Sequence, residues 1–356
     1  MKINKICLTL ASLLTFSLTA CTKKTDSATS PTSNSNRVVN LAIWGNYITP
    51  EIQKKFETET GIKIRISNYS SNEELLAKVQ AGAGGIDLAV PSDYMVEIMI
   101  KAGLLSPIDK SKITNMINLS PEWMGRTHDP ENKYSLPYSW TTTGIAVVKD
   151  LAKSDVKSWK DFFTNPNLAG KISMLDDVRE ATGAALKMNG FSLNTKSADE
   201  LKKAEAALTQ MKPRLKMFKS DMVDALVNKE IAAGMAYSSD ALQAIAKKPG
   251  QIEFFLPEEG GSVALDSLVI LKNAKNLQEA HELMNFMLSP EVNVAFVSHI
   301  RAGPVLKTTK DKLPDDLKNN SALFPNPLQL KKLEGIRDLG ETTTAYDALW
   351  TKIKSM

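Results

Sequence analysis

The chain has 356 residues, with 44 lysines and arginines against 40 acidic residues and a formal net charge of +4. The basic residues are dispersed among acids and form no stripe interleaved with aromatic residues, so the sequence argues against nucleic-acid binding. The length allows two lobes of ordinary domain size, and any attraction for a charged ligand must be local to a site.

The N-terminus has the features of a bacterial lipoprotein signal. A basic start precedes an apolar run over residues 6–16, which is shorter than the roughly 20 residues of a permanent membrane span. The tetrapeptide LTAC at 18–21 has the form of a lipobox, in which Cys21 is lipidated. We therefore expect a signal peptide over 1–20 and an exported, membrane-anchored lipoprotein in the periplasm or at the cell surface. An ordinary secretory signal with a chance cysteine is the alternative.

The two cysteines and the segment after Cys21 indicate how the exported domain is stabilised and how it is attached to the membrane. Cleavage would remove Cys7 and lipidation would occupy Cys21, so neither of the two cysteines is left for a disulfide. An oxidising compartment permits disulfides, but this domain must rely on its core. Residues 21–37 are rich in hydroxyl side chains and cannot bury enough surface to fold, which predicts a lipid anchor followed by a flexible tether.

From residue 38 onward, the pattern alternates between strands and helices. The predicted strands are 38–44, 62–66, 86–90, 143–148, 171–175, 232–236 and 263–271. The predicted helices are 50–60, 75–81, 94–102, 180–188, 198–211, 240–247, 277–288, 291–299 and 345–353. A long irregular stretch over 118–140 separates two such series. This alternation is typical of α/β proteins built from βαβ units with parallel sheets.

Polar, acidic and aromatic residues recur where the predicted strands end. They are Trp44, Gly45, Asn46 and Tyr47; Ser92, Asp93 and Tyr94; Asp176, Asp177, Arg179 and Glu180; Tyr237, Ser238, Ser239 and Asp240; and Asp266 within the last strand. Open α/β sheets bind ligands beyond the carboxyl ends of their strands. Carboxylates form charge-assisted hydrogen bonds with ammonium groups, and aromatic faces attract cations. The pattern therefore predicts a site for an alkyl ammonium ligand.

Simpler explanations exist for single members of this set. Tyr47 and Tyr94 are also typical of half-buried rim residues, and Asp177 and Glu180 are also typical of residues that cap a helix and complement its dipole. Asp266 is harder to explain in this way, because a charge inside a buried strand is unfavourable without a partner. The occurrence of the pattern at five strand ends favours a common site.

The order of the motifs resembles that of the spermidine/putrescine-binding periplasmic proteins, which are solute receptors of polyamine ABC importers. The matching stretches are WGNY at 44–47, FETETGI at 56–62, DLAVPSDY at 87–94, IDKSK at 108–112, YSLPYSW at 134–140, DDVRE at 176–180 and DSL at 266–268. The resemblance implies a two-lobed type II periplasmic binding protein, in which each lobe is a mixed, mostly parallel sheet flanked by helices and the ligand cleft lies between the lobes. Lobe 1 would comprise 38–143 and 267–308, and lobe 2 would comprise 144–266 and 309–356.

The resemblance also implies roles for individual residues. Aromatic lining would come from Trp44, Tyr47, Tyr94 and Tyr237, hydroxyl groups from Ser92 and Ser220, and ammonium binding from Asp177, Glu180 and Asp266, with Asp240 matching an aspartate of the putrescine-preferring members. Asn46 and Asp93 belong to the same motifs and complete the predicted ligand-binding set.

The chain also departs from the family pattern. Ala264 and Ala302 stand where the family has aromatic residues, and Ile336 stands where it has a glutamine. The carboxylates are retained while the walls differ, so we expect a cationic ligand of unspecified length. Arg301 leaves open a zwitterionic ligand that carries an acid.

The mechanism implied by the resemblance is closure of the lobes on a ligand about a hinge. It implies a monomer without cofactor or metal, partnered by an ABC permease in the inner membrane. The same fold binding another cationic or zwitterionic molecule is the alternative. An enzyme acting on an amine, with Asp177 and Glu180 as an acid–base pair, is the rival from another class. The scattered histidines and the absence of a Walker loop argue against catalysis, and the glycine run at 82–85 predicts a plain turn.

Overall fold

The computed structural model describes residues 37–45, 47–82 and 85–356 of the chain. The expected signal peptide, the lipidation site Cys21 and residues 21–36 of the expected anchor and tether lie outside the described residues, as do Asn46 and the centre of the glycine run. Within these described ranges, no helix combines the length and the apolar composition that a membrane crossing requires.

The described residues alternate between strands and helices along the chain. The strands are β1 (Val38–Trp44), β2 (Lys63–Tyr69), β3 (Leu88–Ala89), β4 (Leu105–Ser106), β5 (Ser135–Val148), β6 (Ile172–Met174), β7 (Leu215–Phe218), β8 (Ala233–Tyr237), β9 (Ile252–Phe255), β10 (Ser262–Leu271) and β11 (Glu334–Gly335). The helices are α1 (Pro50–Thr60), α2 (Asn72–Gln80), α3 (Asp93–Lys101), α4 (Lys149–Ala152), α5 (Trp159–Thr164), α6 (Val178–Met188), α7 (Ala198–Met211), α8 (Val223–Val227), α9 (Ser238–Lys247), α10 (Leu277–Met287), α11 (Pro290–Ile300), α12 (Thr309–Lys312), α13 (Asp315–Lys318), α14 (Pro327–Leu330) and α15 (Thr343–Ser355).

Local sequence determines where these helices begin and end. α1 begins after Thr49, whose hydroxyl accepts a hydrogen bond from the Ile52 N–H at 3.2 Å. It ends at Gly61, whose φ of 70° is the left-handed conformation that glycine adopts without a steric penalty. α2 begins after Ser71, whose hydroxyl accepts from the Glu74 N–H at 3.1 Å. These contacts fix the first residue of α1 and of α2 and the last residue of α1.

The first part of the fold is a sheet covered by helices on both faces. β1 lies between β2 and β3 with all three strands parallel, and β3 pairs antiparallel with β10. Alternate residues of a strand point to opposite faces. Val39, Leu41 and Ile43 accordingly share a core with α1, α10 and α11, whereas Ala42 shares a core with α2 and α3.

The second part of the fold has its own core. β6 pairs in parallel with β7 and β8, and α5, α6, α7 and α15 pack against β6, β8 and the C-terminal half of β5. Trp159, Phe162 and Tyr346 are among its fully buried side chains. This core shares no fully buried residue with the two clusters of the first part, and the predicted two-lobed α/β class is confirmed.

Two long strands connect the two cores. β5 pairs with β10 through its N-terminal half and with β8 and β9 through its C-terminal half. β10 continues beyond this contact to pair with β3 and β4. We call β5 and β10 the hinge strands. Leu313, Leu317 and Leu323 pack with the first core, although the predicted division assigned them to lobe 2, and the exact lobe boundaries stay a prediction.

The structure corrects the predicted extent of several strands. β5 begins at Ser135, within the stretch predicted to be irregular, and all of its residues are buried. Because both faces of this strand are covered, its sequence shows no polar–apolar alternation, and the pattern gave no strand signal. β2 continues to Tyr69 and not only to Ile66, while β7 and β9 were not predicted at all.

The contact between Gly303 and the hinge strand generates a prediction about stability. Trp140 and Gly303 exchange backbone hydrogen bonds of 3.2 and 2.7 Å, and a Cβ on Gly303 would lie 2.0 Å from the Trp140 indole. We expect Gly303→Ala to lower the free energy of unfolding by about 1–3 kcal/mol through overpacking, as measured by urea denaturation. Gly45→Ala is the matched control, since nothing lies within 4 Å of its Cβ position; equal midpoints for both variants would contradict the argument.

Candidate ligand-binding site

A cavity of about 510 Å³ lies at the carboxyl ends of β1, β2 and β8, beside the hinge strands. This volume falls within the roughly 300–1,000 Å³ typical of small-molecule sites. The predicted site residues that line it are Trp44, Tyr47, Ser92, Tyr94, Asp177, Glu180, Ser220, Tyr237, Asp240 and Asp266. The structure therefore brings together residues that are up to 222 positions apart in sequence (266 minus 44).

Asp266 lies at an irregularity in the pairing of the hinge strands. The register between β10 and β5 shifts between Asp266 and Ser267, and a bulge of this kind redirects a side chain. The hydroxyl of Ser92 donates to Oδ1 at 2.7 Å, and the hydroxyl of Tyr47 donates to Oδ2 at 2.8 Å. Ser92 precedes α3 without capping it through its side chain, so its hydroxyl is available to Asp266. The result is a carboxylate, only 5% exposed, held by two neutral donors.

Asp177 and Glu180 lie at the start of α6. Oδ1 of Asp177 accepts hydrogen bonds from the N–H groups of Arg179 and Glu180 at 2.9 and 3.0 Å, so Asp177 does cap the helix. Its other oxygen accepts from the Tyr237 hydroxyl at 3.4 Å. Glu180 is 5% exposed, and both its oxygens lie 2.7 Å from the hydroxyl of Ser262. Capping and lining the cavity are therefore compatible roles for Asp177.

Asp240 lies in the first turn of α9, where its Oδ2 accepts a weak hydrogen bond from the Met222 N–H at 3.4 Å. We call Asp177, Glu180, Asp240 and Asp266 the inner carboxylates. No lysine, arginine or histidine of the described residues forms an ion pair with any of them. Within the described ranges, their charge is therefore not balanced by an ion pair.

Arg179 is a nearby cation, but its hydrogen bonds go elsewhere. Its guanidinium donates to the Arg337 carbonyl at 2.9 Å and to the Asn194 side-chain carbonyl at 3.1 Å. It also lies 5.1 Å from the ring centroid of Tyr346. Arg179 therefore moderates the potential around α6 without forming an ion pair with the carboxylates beside it.

Burial changes the proton affinity of the inner carboxylates. Loss of water around the side chain raises the pKa of Asp266 to about 6. It raises the pKa of Asp240 to about 7, with the neighbouring Asp221 charge adding to the effect. Burial also raises the pKa of Asp177 and that of Glu180, and repulsion from Asp177 contributes to the shift at Glu180. Each shift disfavours the anion as long as no cation is bound.

Aromatic rings are fixed on the first-lobe side of the cavity. The Trp44 indole N–H donates to the Val90 carbonyl at 2.9 Å, and its ring lies 4.7 Å from that of Tyr69. The Tyr94 hydroxyl donates to Glu73 Oε1 at 2.9 Å. These contacts hold the rings in place before a ligand arrives.

The structure places Asp93 differently from its neighbours in the predicted set. Asp93 is not part of the cavity lining. Its Oδ1 accepts from the Tyr94 N–H at 2.9 Å, and its Oδ2 is 3.4 Å from the Cβ position of Gly335 in β11. Because Asp93 is the first residue of α3, the helical turn directs it away from the side occupied by Tyr94. Asn46 lies outside the described residues.

The residues that depart from the family pattern lie in different places relative to the cavity. Ala264 and Ile336 line the cavity, whereas Ala302 is fully buried in the first core. Arg301 is not part of the lining and forms an ion pair with Asp316 at 2.9 Å. It ends α11 with a positive φ of 60°, which turns the chain there. The suggestion that Arg301 receives the acid of a zwitterionic ligand is therefore wrong.

Some lining residues were not predicted from the sequence. Tyr69 and Asn68 end β2, and Thr141 lies in β5. The strand-end rule would have found the first two if β2 had been extended to its true end. Asn72 lines the cavity as well. Its side-chain Nδ2 donates to the Ser92 hydroxyl at 3.2 Å, and its Oδ1 accepts from the Ser92 N–H at 3.1 Å.

A larger groove of about 1060 Å³, here called the rear groove, is lined in part by Trp140 and Val263. These residues alternate along the hinge strands with Thr141 and Ala264, which line the cavity, so the rear groove lies on the opposite face of the strands. Its buried or half-buried acids, Glu334 and Asp338, are each paired with a lysine. The smaller cavity, with its inner carboxylates, is therefore the candidate site.

The fold and the site together define a class of protein. Two α/β lobes joined by crossing strands, with a polar cavity beside the crossing, form the architecture of a solute receptor. Among the residues that the structure describes, no group of three or more histidine, cysteine or acidic side chains is arranged to hold a metal ion.

Comparisons with known proteins agree with this class. The family model described as bacterial extracellular solute-binding protein matches residues 51–325. The chain is 34% identical over 316 residues to the spermidine/putrescine-binding periplasmic protein of Salmonella typhimurium, covering 88% of this chain and 90% of that protein. The chain therefore belongs to the bacterial extracellular solute-binding proteins, and the resemblance inferred from its motifs is confirmed.

Solved structures show the same relationship. A putative spermidine/putrescine ABC transporter protein from Listeria monocytogenes superposes with a TM-score of 0.86 at 31% identity, covering 90% of this chain and 99% of that one. A lipoprotein of Treponema pallidum superposes with a TM-score of 0.76 at 31% identity, covering 89% and 99%. The similarity thus extends over both lobes.

The raised pKa values generate a prediction for the ligand-free protein. A carboxyl whose pKa is raised on folding binds its proton more tightly in the folded state. The free energy of unfolding should therefore fall as the pH rises from about 4 through the folded-state pKa values of Asp266 and Asp240, about 6 and about 7. We expect Asp240→Asn to reduce this fall by about 1 kcal/mol between about pH 5 and 7, allowing for its partial exposure.

Denaturant titrations across this pH range check the prediction. Asp199→Asn is the control, because Asp199 has a side chain that is 89% exposed, and it should keep the wild-type slope. An unchanged slope in Asp240→Asn would show that Asp240 is not an unsatisfied buried acid.

Proposed function

We propose that this protein is the substrate-binding lipoprotein of an ABC importer and that it captures a polyamine of the putrescine or spermidine class. The observation that supports the proposal is the set of inner carboxylates lining one cavity without cationic partners among the described side chains. A ligand with two or more ammonium groups would supply the missing charge. The names of the relatives and structural neighbours, spermidine/putrescine-binding proteins, support the same ligand class.

The distribution of the inner carboxylates favours a ligand with charge at both ends. Asp266 is held by Tyr47 and Ser92 of the first lobe, whereas Asp177, Glu180 and Asp240 lie at the N-termini of second-lobe helices. One ammonium group would bind at Asp266 and another beside α6 and α9. Charge-assisted hydrogen bonds of this kind are roughly twice as strong as neutral ones.

The aromatic lining would contact the chain between the charged ends. Trp44, Tyr47, Tyr94 and Tyr237 line the cavity and would cover the methylene groups of a polyamine. Each cation–π contact contributes about 0.5–2 kcal/mol, depending on how well water is excluded. The aromatic faces thus select for an alkyl ammonium over a small inorganic cation.

Closure about the hinge strands would complete the site. We take lobe 1 as 38–143 with 267–308 and lobe 2 as 144–266 with 309–356, joined by β5 and β10, except that the segment containing Leu313, Leu317 and Leu323 packs with lobe 1. A ligand that bridges the lobes favours the closed form, and closure removes water, which strengthens each ammonium–carboxylate contact. Binding, and no catalysis, cofactor or metal, is the proposed activity.

The N-terminal sequence and the family support a proposal for the cellular setting. Lipidation of Cys21 and the tether over 21–37 would hold a monomeric receptor at the outer face of the membrane, close to its permease. Tethering raises the effective concentration of receptor at its partner, to the millimolar range for short flexible linkers. The Treponema pallidum neighbour, described as a lipoprotein, supports this arrangement.

Isothermal titration tests the proposed ligand. We expect the wild-type protein to bind at least one of putrescine, spermidine, spermine and agmatine, and lysine to bind more weakly because its carboxylate would meet the inner carboxylates. Asp266→Asn should weaken diamine binding by at least about tenfold, since removing one member of a buried charge pair costs about 2–5 kcal/mol.

The control for this titration is Asp150→Asn. Asp150 is an exposed aspartate paired with Lys229 outside the cavity, and its replacement should leave binding unchanged. The polyamine assignment is overturned if none of the five ligands binds to folded wild-type protein.

The anchor generates a separate prediction. Cys21→Ser should abolish lipidation, so the protein should move from the membrane fraction to the soluble exported fraction when both are probed by immunoblot. Metabolic labelling with a fatty acid should mark the wild-type protein and not the variant. Equal membrane association of the two proteins would contradict an anchor at Cys21.

A further inference from the structure

Three further acidic residues line the cavity, and two of them, Asp176 and Glu74, differ from the inner carboxylates because each is paired with a lysine. Asp176 bonds through both oxygens to the ammonium of Lys354, at 2.7 and 2.6 Å. Glu74 pairs with Lys78 at 2.8 Å. Their side chains are 36% and 39% exposed, compared with 5% for the buried acid Glu180. We call Asp176 and Glu74 the rim carboxylates, because they lie at the outer part of the lining.

Lys354 is held in place by more than its ion pair. It lies in α15, and its ammonium is 5.2 Å from the ring centroid of Phe218 and 5.9 Å from that of Trp350. The two rings form an edge-on contact at 5.0 Å. An ammonium positioned over aromatic faces is stabilised there, so Lys354 is preorganised beside Asp176.

Lys78 is held in a comparable way on the other lobe. Its ammonium also donates to the Asn68 carbonyl at 2.6 Å. Glu74 is fixed in turn by the backbone and the hydroxyl of Ser70, both at 2.8 Å. The cavity is therefore flanked on the α2 side and on the α15 side by a carboxylate that already has its cation.

The third further acid, Asp221, does not follow this pattern. Asp221 lines the cavity, is exposed, and forms no ion pair within the described ranges. Its Oδ1 accepts from the Val223 N–H at 2.8 Å, and its charge acts on the neighbouring Asp240. Asp221 thus extends the inner negative field, whereas Asp176 and Glu74 are neutralised locally.

On the basis of the proposed function, we propose that Lys354 and Lys78 limit the length of the ligand, because they occupy the rim carboxylates. The site therefore favours a short diamine over longer polyamines. A third or fourth ammonium group of a longer ligand would have to displace a lysine that is tethered to the protein. A tethered group competes at high effective concentration. The inner carboxylates remain open to both ends of a short diamine, which needs no such displacement.

Removal of the Lys354 charge tests the proposal. Lys354→Met keeps the aliphatic stem against Phe218 and Trp350 and deletes the ammonium. We expect affinity for spermidine and spermine to rise about two- to fivefold relative to putrescine, the scale of a partly exposed ion pair. Lys78→Met should shift the ratio in the same direction. Isothermal titration with the three ligands measures it.

Matched variants separate this effect from a general change in charge. Lys229→Met removes a lysine of comparable exposure, 38%, that pairs with Asp150 at 2.6 Å outside the cavity, and it should leave the ligand ratio unchanged. Adding Asp176→Asn to Lys354→Met should return the ratio to the wild-type value, because the exposed carboxylate is then gone. Thermal unfolding confirms that each variant is folded.

The outcomes distinguish the two proposals. If the wild type binds putrescine and spermidine and the ratio is unchanged in Lys354→Met, the role of the rim lysines is overturned while the proposed function stands. The same holds if the shifted ratio persists in the double variant with Asp176→Asn. If the folded wild type binds no polyamine, both proposals fail together.

Discussion

The structure depends on acidic side chains that are buried without a cationic partner among the residues that it describes. A buried carboxylate is unfavourable unless it is paired or fully hydrogen-bonded. Asp87 shows the fully bonded case, since it accepts from backbone and side-chain N–H groups of Asn40, Lys275 and Asn276. Asp266 accepts from two hydroxyl donors among the described side chains. The contrast separates an acid that stabilises the fold from one that, under the proposed function, binds an ammonium group of the ligand.

The positions of the acids in the fold reduce the free-energy cost of burying them. Asp177 and Glu180 lie at the N-terminus of α6, and Asp240 lies in the first turn of α9, where the helix dipole favours negative charge. In parallel α/β units these N-termini meet at the carboxyl edge of the sheet. The hinge strands bring Asp266 to the same cavity through an irregularity in their register. The same topology that builds two cores therefore also concentrates acids between them.

Much of this site was predictable, because strand ends and helix starts are visible in the sequence. Trp44, Asp177 and Tyr237 were found in this way and line the cavity. Tyr69 was missed because the alternation that marks β2 fades before the strand ends, and Thr141 was missed because β5 is buried on both faces and shows no alternation. The pairing partners of charged side chains depend on contacts between distant elements. A pattern over a few residues therefore does not reveal them.

Negative charge on both lobes also explains why closure would require a bound ligand. Under the proposed hinge mechanism, closing an empty cavity would bring Asp266 toward the acids of α6 and α9 and remove the water that screens them. Like charges in such a medium repel more strongly than in water, so the empty protein resists closure. A bound polycation reverses the sign of the interaction, and the same loss of water then favours the closed form. Lysine pairing at the rim leaves this argument intact, because Lys354 and Lys78 neutralise acids that remain partly exposed, where screening already weakens the repulsion.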